Sequence, residues 1–74
     1  METECYYLYD LGRELVVLAK RIQSEPRLTG DEFQSGRRFA VYEVLSIMKD
    51  QAVAFNMTEA QIGLEGIDIE SLLK

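Results

Sequence analysis

The chain has 74 residues, no histidine, no tryptophan and a single thiol, Cys5, and it carries 13 acidic against 8 basic side chains for a net charge of −5. That inventory excludes Ser-His-Asp and Cys-His nucleophilic sites, Cys/His zinc sites, the Glu-x-x-His pairs of di-iron bundles and any disulfide within the chain. The longest unbroken apolar run, residues 15–19, is far short of the ~20 residues of a membrane span, and the acidic Glu2 and Glu4 oppose the basic start of a signal peptide.

The first element read along the chain is a helix over 3–24. Leu8, Leu11, Leu15, Leu18 and Ile22 recur with the alternating three- and four-residue spacing of a helical seam. Glu25 precedes the only proline, Pro26, and is steered away from helical angles, so the helix ends there and a turn occupies 25–29.

A second helix is predicted over 30–56. Thr29 and Glu32 have capping-box spacing, with Leu28 and Phe33 as the flanking hydrophobic staple. Its main stripe is Phe33, Ala40, Val41, Val44, Ile47, Met48, Ala52 and Phe55. Two polar residues interrupt that stripe. Arg37 is expected to reach out to solvent along its aliphatic stem, and Gln51 to make one buried hydrogen bond that fixes helix register. The short connection makes the two helices an antiparallel hairpin.

A short helical tail follows over 58–73. Thr58 and Gln61 repeat the capping box, Met57 and Ile62 repeat the staple, and Gly63 is placed to stop the turn in the left-handed region. Gly66 breaks the chain again, and Asp68 is expected to cap a last turn over 69–73. Ile62, Leu64, Ile67, Ile69, Leu72 and Leu73 are too apolar for a free tail. They are expected to fold back onto the hairpin or onto a partner.

Both long helices carry more apolar surface than one neighbour covers. On the first, Cys5, Tyr7, Gly12, Val16 and Ala19 widen the seam to roughly 200°, while Tyr6 and Val17 project opposite beside Arg13 and Lys20. On the second, Phe39, Tyr42, Val53 and Met57 cluster opposite the main stripe. Patches of this kind mark interfaces, so Phe39, Tyr42, Val53, Met57, Val17 and Tyr6 are the candidate partner interface. Gly12, Gly36 and Ala40 are small enough for a close helix crossing. A chain this short hides only about 60% of its unfolded surface, which barely offsets the entropy of ordering it. The expectation is an all-α hairpin with a short helical tail, dimerising into a four-helix bundle.

The remaining chemistry is sparse. Asp10 with Glu14, and Asp31 with Glu32, read as solvated surface carboxylates, and Cys5 between acids lacks the positive surroundings that activate a thiol. Tyr6, Tyr7 and Tyr9 spread too far around the helix to form a stacking platform. The functional reading is a cytoplasmic, non-enzymatic homodimer that serves in protein interaction as an adaptor or regulator, with no metal or cofactor. A second reading follows from charge, because the bases lie mostly between residues 13 and 49. A helical hairpin of this size dimerising into a bundle resembles in outline the Rop-type plasmid RNA regulators. That resemblance implies phosphate contacts by Arg13, Lys20, Arg21, Arg37 and Arg38.

Overall fold

The structure is a computed structural model and describes residues 2–26 and 32–73. Helix α1 is Glu2–Ser24 and helix α2 is Glu32–Ala54, followed by two short 3₁₀ segments, Ala60–Ile62 and Ile69–Leu73. Among the described residues there is no strand. The helices are antiparallel: Arg38 at the start of α2 bonds to the last carbonyls of α1, and Leu8 at the other end shares a groove with Ile47 and Phe55. The molecule is elongated, 45 × 20 × 18 Å.

Each helix ends where local chemistry stops it. The Glu25 amide donates to the Ile22 carbonyl at 3.2 Å as the last turn tightens ahead of Pro26. The Thr29 capping box and the first residues predicted for α2 lie outside the described residues. At its far end α2 stops at Ala54, two residues before the predicted boundary, in a Schellman motif. Asn56 takes a left-handed φ of 61°, its amide donates to the Val53 carbonyl at 3.1 Å, and the Met57 amide reaches the Ala52 carbonyl at 2.7 Å.

The same device recurs in the tail. Gly63 adopts φ 76°, its amide donates to the Ala60 carbonyl at 3.2 Å, and the Leu64 amide donates to the Glu59 carbonyl at 2.9 Å. The capping box ahead of it forms in both directions. The Thr58 amide donates to Gln61 Oε1 at 2.7 Å, and the Gln61 amide donates to Thr58 Oγ1 at 3.2 Å. At the last turn it is the Asp68 backbone carbonyl that holds the chain, accepting from the Ser71 amide at 3.1 Å and from Ser71 Oγ at 2.6 Å.

The tail folds back along the hairpin and makes the core there. Val16 and Ala19 of α1, Leu45 and Ala52 of α2, and Ile62, Leu64, Ile69 and Leu72 of the tail form one buried cluster, with Leu45 and Leu64 fully enclosed. Polar ties hold the same seam: Gln23 Nε2 donates to the Ser71 carbonyl at 2.9 Å, and Lys49 Nζ pairs with Glu59 at 3.1 Å while donating to the Ile67 carbonyl at 3.4 Å.

This arrangement corrects three expectations. The leucine seam is not the centre of the packed arc of α1: Leu11 is exposed, and Leu8, Leu15 and Leu18 are half-buried. The buried line is Gly12, Val16, Ala19 and Ile22. On α2 the buried line is Arg38, Leu45 and Ala52, whereas Phe33, Val44, Ile47 and Phe55 of the predicted stripe are exposed. Gln51 is exposed too, so it makes no buried register-fixing bond. The physical reason is that α1 and α2 share their packed arcs with the tail. Gly12 permits it, because a methyl group there would lie 2.8 Å from the Ile62 carbonyl carbon and closer still to its oxygen.

Candidate interaction surface

With the tail occupying one face of the hairpin, the opposite face is defined by helical phase. Residues step by about 100° around each helix. The tail sits against the Tyr9–Arg13 turn of α1, and against Tyr42 and Lys49 of α2. The arcs directed away from it hold Tyr7, Leu11 and Leu18 on α1 and Ala40, Ile47 and Gln51 on α2, bordered by Phe33, Val44 and Phe55. Of these, Phe33, Phe55 and Ile47 are 77%, 73% and 60% exposed. Near the α1 N-terminus lies a groove of about 560 Å³, lined by Leu8, Ile47, Gln51, Phe55 and Met57 with Met48, Ala52 and Ile62 of the first 3₁₀ segment. Gln51 is the one polar side chain on it. Apolar concavities of this size are where side chains or ligands seat.

The six residues singled out from the sequence as a partner interface are dispersed. Tyr42 and Met57 pack against the core cluster from its edge. Phe39 stacks loosely on Tyr42, ring centroids 6.1 Å apart, and Val53 is 79% exposed on the outer flank of α2. Tyr6 and Val17 are exposed on α1, turned by their helical phase away from α2, so they do not join the Phe39 patch. Hydrophobicity assigned Phe33, Val44, Ile47 and Phe55, which lie open, to the hairpin's packed interior. The signal that locates the open face is the tail: with a single apolar tail and the glycine pair Gly12 and Gly63 to receive it, only one face is covered.

The bases are likewise separated. Arg38 is only 7% exposed, and one guanidinium nitrogen donates to the Ile22, Gln23 and Glu25 carbonyls at 3.2, 3.4 and 3.1 Å. It therefore caps the C-terminus of α1, where carbonyls lack helical partners and the dipole favours a cation. Its Nε is buried without a partner. Arg37 donates to both carboxylate oxygens of Glu25 at 3.0 Å and lies 5.9 Å from the Phe33 ring centre. Arg13, Lys20 and Arg21 are exposed, with Arg21 roughly 90° around α1 from the other two.

Cys5 is exposed, beside Glu4, Leu8, Met57 and Gln61. Asp10, Glu14 and Glu32 are exposed, and Asp31 lies outside the described residues. Among the described residues no three His, Cys, Asp or Glu side chains gather as metal ligands, and no helix is long and apolar enough to cross a membrane. No protein-family model, curated protein or solved structure matches the chain.

Proposed function

We propose that this chain is a self-associating helical interaction module, without catalytic chemistry of its own, whose hairpin face opposite the tail is its docking surface. One observation carries the reading: large apolar side chains of both helices stay open on that face after the tail has covered the other. Tyr7, Leu11, Phe33, Val44, Ile47 and Phe55 together leave about 700 Å² open, at roughly 200 Å² per large side chain. A stable interface needs about 800 Å² per partner. A second copy supplies a matching face by symmetry. Pairing two hairpins in this way yields a four-helix bundle.

The test is solution mass by light scattering on the reduced protein between about 5 and 200 μM, the range over which a modest dimer assembles. Twice the monomer mass is expected. Ile47→Asp, which places a charge in the middle of the face, should return the monomer with its helical circular dichroism intact. A wild-type monomer throughout that range refutes the reading.

The RNA-regulator reading has less to stand on. Two of its five bases are committed to the hairpin turn, Arg38 to carbonyls and Arg37 to Glu25.

A further inference from the structure

We propose that the second copy docks with its α2 antiparallel across α2 of the first, the two-fold axis passing beside Val44, so that Phe33 of each chain enters the groove beside Phe55 of the other. The proposal rests on the self-association reading and specifies its register.

The open side of α2 carries a seam at Phe33, Arg37, Ala40, Val44, Ile47, Gln51 and Phe55. Its spacing alternates four and three until the final step, the period of helices that pack along their length. The seam is nearly palindromic about Val44. Phe33 and Phe55 stand eleven residues to either side, Arg37 and Gln51 seven, and Ala40 faces Ile47 and Met48 across the centre. An antiparallel two-fold at Val44 therefore sets bulk into space. The exposed Phe33 ring meets the unfilled groove at Leu8, Gln51 and Phe55, and the small Ala40 meets the bulky Ile47.

Charge selects the same orientation. Parallel, in-register packing would set Arg37 against Arg37, a like-charge contact that costs stability. The antiparallel register sets Arg37 against Gln51, whose side-chain carbonyl accepts from a guanidinium. The Arg37–Glu25 pair then lies at the rim, where an ion pair belongs.

Single-cysteine variants in a Cys5→Ser background, treated with a short bis-maleimide, test the register, with solution mass measured on the same samples. Val44→Cys should cross-link to itself. Gln51→Cys should not, but should do so when mixed with Arg37→Cys. Each productive pair should react more than about tenfold faster than Val53→Cys on the outer flank, because thiols held within a complex meet at millimolar effective concentration. If the protein is a dimer but Gln51→Cys links to itself, packing is parallel and the register falls while self-association stands. If the dimer links through Val53→Cys and not Val44→Cys, a different face is used. A monomeric mass throughout overturns both readings.

Discussion

Replacing Gly12 with alanine isolates the contact on which the fold turns. Gly12 lies mid-helix, so alanine should by propensity alone stabilise α1 by about 1 kcal/mol. Its methyl, however, would stand 2.8 Å from the Ile62 carbonyl carbon and 3.2 Å from Gly63 Cα, where carbon atoms rest at about 3.5–4.0 Å. The obstruction is backbone, so no side chain can swing aside; the Ile62 carbonyl oxygen lies closest to the methyl, and the first 3₁₀ segment must retreat by more than about 1 Å. Overpacking of this kind costs about 1–3 kcal/mol, and retreat also loosens Ile62 and Leu64, both buried. With the overpacking cost at the upper end of that range, the net expectation is a loss of about 2 kcal/mol after the propensity gain. Gly36→Ala is the matched control: also in mid-helix, it meets nothing within 4 Å and should gain up to about 1 kcal/mol. At about 4–8 °C per kcal/mol for a domain this small, the two variants should melt some 12–24 °C apart, followed by circular dichroism at equal concentration. Midpoints within a degree or two of each other would show that the tail does not press on α1 at Gly12.

Arg38→Leu should destabilise by about 2 kcal/mol in urea unfolding, because the α1 carbonyls lose a charged donor, and Arg38→Lys should recover only part, lacking the planar fork. Thr58→Ala removes the side-chain half of the capping box, leaving the Gln61 amide its bond to the Thr58 carbonyl alone, and should lower stability by up to about 1 kcal/mol, read as a fall in melting midpoint. RNA binding through the exposed Arg13, Lys20 and Arg21 would weaken about 40-fold between about 50 and 300 mM salt if all three met phosphates of a single strand. No such complex is expected in mobility-shift assays, and finding one would move the function to nucleic acid.

What proved legible in the sequence was local. The end of α1 before Pro26, the Thr58–Gln61 box and the stop at Gly63 each depend on a few neighbouring residues whose chemistry admits little else. The end of α2 was less sharp because Asn56 does the work more often given to glycine. The rotation of the packed arcs was not legible, and the reason is physical. Hydrophobic periodicity weights large side chains, whereas the contact that decides which side of α1 is buried is made by Gly12, which has none. On α2 the cations Arg38 and Lys49 belong to the inner side through bonds to backbone carbonyls, and a polarity pattern places them outside. The strongest stripe on each helix thus read as the centre of the packed arc when it lies at its edge, with Leu11, Phe33, Val44, Ile47 and Phe55 exposed.

The position of the core between hairpin and tail has a kinetic consequence. The hairpin turn is closed by bonds spanning 12 to 16 residues, but Gln23 meets Ser71 across 48 residues. Closing the longer loop costs only about 1 kcal/mol more in chain entropy, yet it brings in Leu64, one of the two fully enclosed side chains. The two helices alone hold only half of the buried cluster, Val16, Ala19, Leu45 and Ala52, and lack its other half until the tail arrives, so they have no stable resting point before then. Folding should therefore proceed in one concerted step. Amide hydrogens in α1, in α2 and in the last fifteen residues should exchange with the solvent together, through a shared opening event.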